Sequence, residues 1–266
     1  MAHHVSLDDP DCREMTPLNT RPLSFDTLRT ALRIGWQVAN ATLGVSIAYA
    51  AIFALGGVLI MGGLLLQGWT PFVIAGAGAF MLIGPAVLAG FFGIAQAHEV
   101  GESPGPGAVI AGFSRASGAL WALALVCGLL FMIFITDAAI LYAYMVGAAP
   151  VGLAELLPTA DNILRFVRWA AVSGLIVAIL LFTISAFSVP LLCDCRCGLV
   201  DAVMTSARIV LCHPLPAFFW AFLLSTAVIT SILCLPLLPL ALPWLAYASR
   251  ALYQAVLPGR ERLAAF

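Results

Sequence analysis

The chain has 266 residues, of which 62% are apolar and only 9% charged, with a net charge of −1 and a mean hydropathy of +1.06. A soluble domain carries roughly a quarter of its residues as charges, so this composition excludes an ordinary soluble globule and leaves lipid to cover most of the surface. The near-neutral balance also excludes the basic surface that nucleic acid requires.

Met1–Arg21 is polar and lacks the basic lead and short apolar core of a secretory signal. With the residues up to 24 it reads as a polar cytoplasmic segment. Phe25–Gln37 is the first amphipathic stretch: Phe25, Leu28, Leu32 and Trp36 share one helical face, and Arg29 and Arg33 lie off it. That is the pattern of a helix lying in the membrane interface. Val38–Leu66 then carries no charge and exceeds the roughly 20 residues needed to cross the hydrocarbon core. Backbone groups cannot go unpaired in lipid, so each such run has to be a helix. Pro71–Ala97 forms the second apolar run, Leu120–Val146 the third with Asp137 as its one charge, and Trp169–Leu192 the fourth. Pro216–Leu257 is too long for one span and is broken by Pro236, Pro239 and Pro243. We expect a hairpin there, Pro216–Leu235 and Leu237–Val256, with a re-entrant segment as the competing reading.

All basic residues other than the histidines are arginines, and their placement sets the orientation. Arg13, Arg21, Arg29, Arg33, Arg115, Arg196, Arg208, Arg250, Arg260 and Arg262 fall on one side of six spans, the cytoplasmic side, and only Arg165 and Arg168 fall on the other. The expected fold is therefore an all-α polytopic bundle over residues 25–257, with a cytoplasmic tail at 258–266 and both termini cytoplasmic. Its six spans form three hairpins, each preceded by an amphipathic stretch: Phe25–Gln37, Gly107–Trp121 and Gly198–Trp220. Pro85, Pro190 and Pro243 are the expected breaks in the second helix of each hairpin, which suggests one unit repeated three times. Small residues should mark the packing faces: Ala79, Ala86, Gly90, Gly93 and Ala97 on the second span, and Gly44, Gly56, Gly57, Gly62 and Gly63 on the first.

The densest chemical cluster is Cys193-Asp194-Cys195-Arg196-Cys197, followed by Cys212-His213. Alternate thiols on an extended backbone could converge on a soft metal, with His213 joining, but zinc sites more often use pairs spaced by two to four residues. Cys193, Cys195, Cys197 and His213 are the candidate ligands, and the plainer alternative is a set of cysteines at a helix end. The cysteines fall in apolar or cytoplasmic stretches, so no disulfide framework is expected. Asp137 is a candidate intramembrane ion or proton site, with Tyr144 two turns on along the same face; the competing position is the outer interface. His98-Glu99 with Glu102 near Arg115 reads as a solvated loop. The chain has no nucleophile elbow and no phosphate-cradling glycine motif.

The order of several pieces resembles bacterial integral membrane proteins catalogued as domain of unknown function 2189. The resemblance runs from Thr27 to Tyr247. Its pieces are Gly35-Trp36 before the first span, Gly84-Pro85 with Gly90, His98-Glu99-Val100-Gly101-Glu102, Ser188-Val189-Pro190-Leu191-Leu192 with Asp194, then Ser206, Pro214 and Trp220, and Trp244-Leu245-Ala246-Tyr247. The chain departs from the family at Cys195, where a basic residue is expected, at Phe92-Gly93 in place of Tyr-Glu, and at Ala241 and Leu245 in place of histidines. The resemblance implies a multispan inner-membrane protein and adds no chemistry.

No catalytic residue and no cofactor is expected. The leading expectation is a non-enzymatic accessory or scaffolding subunit of an inner-membrane assembly, in contact with the bilayer and with a membrane-protein partner or a second copy. A small-solute or ion transporter using Asp137 and the proline-broken helices is the alternative. A metal- or redox-linked protein using the cysteine cluster is the third reading.

Overall fold

The structure is a computed structural model that describes residues 21–66, 70–115, 118–145, 161–194, 197–234 and 237–257. Ten helices and no strand occur among the described residues. They are α1 (Phe25–Ala41), α2 (Leu43–Leu66), α3 (Thr70–Glu99), α4 (Pro106–Arg115), α5 (Gly118–Met145), α6 (Asp161–Ser185), α7 (Ser188–Cys193), α8 (Leu199–Cys212), α9 (Pro214–Leu233) and α10 (Leu238–Val256). Among the described residues, four stretches are long and apolar enough to cross a membrane: Leu43–Ile60, Gly118–Leu141, Arg165–Cys193 and Pro214–Ser231.

Helix ends follow local chemistry. The Ser24 hydroxyl accepts from the Thr27 amide at 3.2 Å and Asp26 sits in the first turn, which fixes the start of α1. The chain bends at Thr42, whose own hydroxyl bonds back to the Val38 carbonyl at 2.8 Å. Gly101, at φ 81°, turns the chain sharply after α3, and the Glu102 amide closes that turn on the Ala97 carbonyl at 2.9 Å. The third amphipathic stretch stops at Cys212, short of the expected Trp220, because Pro214 disfavours helical geometry in His213 before it.

The proline expectation holds at one position of three. The helix over residues 161–193 is interrupted at Ala186-Phe187, four residues before Pro190, where the proline ring crowds the preceding turn and offers no amide. α3 and α10 run without interruption through Pro85 and Pro243, contrary to the expected breaks. Neighbouring helices make such prolines tolerable in an apolar bundle.

The amphipathic helices pack onto other helices rather than lying free. α1 runs antiparallel along α10, the most extensive helix contact among the described residues. Leu28, Ala31, Gly35 and Ala39 form its buried face. At the far end of this pair the Arg21 amide donates to the Val256 carbonyl at 2.8 Å, so the two described ends of the chain lie side by side. In the same manner α4 folds back on α3, and α8 packs on α6 and α7.

Most of the buried residues gather at the end of the bundle where these contacts occur. They come from α1, the second half of α3, the starts of α5 and α9, the end of α6, α7, α8 and the second half of α10. The outer faces of α2, α5, α6 and α9 leave large apolar side chains uncovered, among them Leu59, Ile133, Ile176 and Phe222.

Candidate functional site at the junction of three helices

Arg250 is the one buried charged residue among those described, with a side chain only 7% exposed. It stands on α10 between Tyr247 and Tyr253, both buried. Its Nε and Nη2 donate to the two Glu99 carboxylate oxygens at 3.3 and 3.2 Å, a bidentate pair. Its Nη1 donates to Asp194 Oδ1 at 3.4 Å. Phe92 lies two turns before Glu99 on the same face of α3, and its ring centroid is 5.7 Å from the guanidinium carbon. Gln254, one turn on from Arg250, adds a bond to Glu99 at 3.3 Å.

Each partner is placed by a helix end. Glu99 is the last residue of α3 before the turn at Gly101. Asp194 follows α7, and its amide bonds the Pro190 carbonyl at 3.1 Å. The junction thus ties the ends of α3 and α7 to the second half of α10 through one arginine, which stays charged at any accessible pH. The acids are 38% and 27% exposed, so the arginine is sealed while its partners face the boundary. Burying an unpaired guanidinium would be prohibitive, and two carboxylates in bonding range offset that cost.

A second polar joint explains the break before Pro190. The Ser206 hydroxyl of α8 donates to the Thr183 carbonyl at 2.7 Å and accepts from the Phe187 amide at 3.2 Å. Those two backbone groups are the pair that an uninterrupted helix would have bonded to each other. The serine therefore sits inside the opened ladder. A third joint is the hydroxyl chain Thr42–Ser46–Tyr247, with Ser46 to Tyr247 at 2.6 Å and Thr42 to Ser46 at 2.9 Å, all buried.

The residues singled out in the sequence fare unevenly. Glu99, Asp194 and Arg250 come together, although Glu99 reads as part of a solvated loop and Arg250 as a marker of orientation. Cys193 and Cys197 are buried at the end of α7 and just beyond it; Cys195 lies outside the described residues. His213 stands at the joint of α8 and α9, and its Nδ1 is buried with no hydrogen-bond partner among the described residues. Among the described residues, no three of His, Cys, Asp and Glu are grouped to hold a metal ion. Asp137 is exposed on α5, below Ile133 and Ile140 and in line with Tyr144, so it does not face the interior of the bundle. It lies about 28 Å along α5 from Gly118. Two shallow grooves open at the surface, one along α8 around Arg208 and one between α1 and α10 beside Arg21.

Residues 72–194 match the family described as predicted integral membrane protein (DUF2189). The match takes in Glu99 and ends on Asp194, while Arg250, Ser206 and the Gly35-Trp36 and Trp244–Tyr247 pieces lie beyond it. No curated protein and no solved structure matched the chain.

Proposed function

We propose that this integral membrane protein, whose residues 72–194 carry the DUF2189 pattern, crosses the inner membrane six times and serves as a non-enzymatic accessory or scaffolding subunit. Its three units are α1–α3, α4–α7 and α8–α10. The amphipathic helix of each unit is seated on the last helix of another: α4 on α3, α8 on α6 and α7, and α1 on α10, which closes the series. The arginine-bearing end faces the cytoplasm by the positive-inside rule.

The observation that carries the reading is the contrast between the two ends. One end is packed around bonded polar joints, with Arg250 as the keystone. Outside it, apolar helices present faces for lipid or another helix. On α2, Gly56 and Gly63 stand two turns apart with nothing within 4 Å of an added methyl group, so the face they share is open to close approach by another helix. The exposed setting of Asp137 gives less support to a transport path, because functional charges in membranes face the interior or a water-filled cavity.

Gentle detergent extraction, crosslinking and mass spectrometry test the reading. A stoichiometric membrane-protein partner, or a second copy, is the expected result, lost in a Gly56→Leu/Gly63→Leu variant that still folds. A lone monodisperse chain that moves a solute across liposomes, and ceases to on Asp137→Asn, would establish the transporter instead.

A further inference from the structure

α1 and α8 have two unlike faces. Their inner faces are sealed by Leu28, Ala31, Gly35 and Ala39 on α1 and by Ala202, Ser206, Ile209 and Val210 on α8. Their outer faces carry Phe25 and Trp36, each 53% exposed, and Val200, Met204 and Leu211, exposed by 72%, 66% and 72%. Arginines stand one helical turn from these side chains: Arg29 from Phe25, Arg33 from Trp36, and Arg208 from Met204. All three arginines are exposed, and none forms an ion pair among the described residues. α1 runs beside α10 from Trp244 to Val256, α8 packs on α6 and α7, and Arg250 of α10 bonds Asp194 just after α7, so both helices flank the Arg250 junction.

Water suits the arginines and penalises the apolar strips; acyl chains do the reverse. The boundary between acyl chains and phosphates suits both, with long arginine side chains reaching outward from an apolar seat. A zwitterionic headgroup layer serves the apolar strip alone. Guanidiniums add an attraction that a net negative lipid satisfies more fully than a zwitterionic one, whose phosphate is offset by its own cation. We infer that α1 and α8 form a collar that selects anionic phospholipids, with Arg29, Arg33 and Arg208 pairing the headgroup phosphates. The inference rests on the reading that this end borders the bilayer.

The test uses the full chain in mixed micelles of phosphatidylglycerol and phosphatidylcholine in equal amounts with identical acyl chains, with retained lipid counted by native mass spectrometry. Phosphatidylglycerol is retained preferentially, and each arginine removed lowers the preference by roughly fivefold. The Arg29→Gln/Arg33→Gln/Arg208→Gln variant, altered only at exposed positions, keeps its phosphatidylcholine and loses the preference. Arg165→Gln/Arg168→Gln, exposed on α6, leaves the preference intact. Equal retention of both lipids by the native chain overturns the inference, as does a preference that survives the triple variant. A chain that retains neither lipid and stays in solution without detergent overturns the membrane reading as well, so the two failures are distinguishable.

Discussion

Arg250 holds three helices at once, and its removal leaves two carboxylates facing a cavity lined by Phe92. Breaking a buried pair by deleting one partner costs about 3–5 kcal/mol. We predict that Arg250→Met lowers the unfolding temperature in detergent by many degrees. Arg250→Lys keeps the charge but loses the bidentate geometry, so it falls between Met and the native residue. Thermal unfolding followed by circular dichroism reads both, and an Arg250→Met variant as stable as the native chain would remove the junction from the account. Ser206→Ala strands the Phe187 amide and the Thr183 carbonyl, for a predicted loss of about 1–3 kcal/mol in the same assay. Neither role was legible in the chain. Arg250 lies 151 residues from Glu99 and 56 from Asp194, and no local pattern encodes pairings at such separations. Ser206 entered the sequence reading only as a piece of the family resemblance, with no role, until the break before Pro190 supplied it with partners.

The helices themselves were largely legible, because apolar runs and a 3.6-residue period are local properties. The amphipathic stretch at Phe25 and the apolar runs at Val38, Leu120 and Trp169 all correspond to helices. Glycine use was read correctly on α3, where Gly90 and Gly93 stand at close contacts as expected, and less well on α2. A methyl group at Gly93 would overlap the Ala108 carbonyl, one at Gly112 would overlap the Ala89 carbonyl, and one at Gly35 would come within 2.5 Å of the Ala248 amide nitrogen. These are the close crossings of α3 with α4 and of α1 with α10. On α2, an added methyl at Gly44, Gly56, Gly62 or Gly63 meets nothing within 4 Å, so among the described residues these glycines mark no close helix crossing. Sequence composition cannot separate the two sets, because closeness depends on which helix arrives opposite. We predict that Gly35→Ala and Gly112→Ala destabilise the protein, whereas Gly44→Ala is neutral or stabilising by up to about 1 kcal/mol through helix propensity. Equal effects at all three positions would contradict the packing described.

At the scale of the whole molecule, the orientation expected from the arginines is a claim that labelling can test. From arginine counting, the connections after the second and fourth spans and both termini are expected on one side. The junction of Glu99, Asp194 and Arg250, with the Arg21–Val256 bond, brings those same regions to one end. The most direct test is labelling by a membrane-impermeant thiol reagent in a cysteine-free background, with single cysteines at Ser24, Gly105 and Gly198 and at Pro150 between α5 and α6. Six spans predict that Ser24→Cys, Gly105→Cys and Gly198→Cys all react from the cytoplasmic side and Pro150→Cys from the opposite one. Labelling of Gly105→Cys and Gly198→Cys from opposite sides would contradict the account.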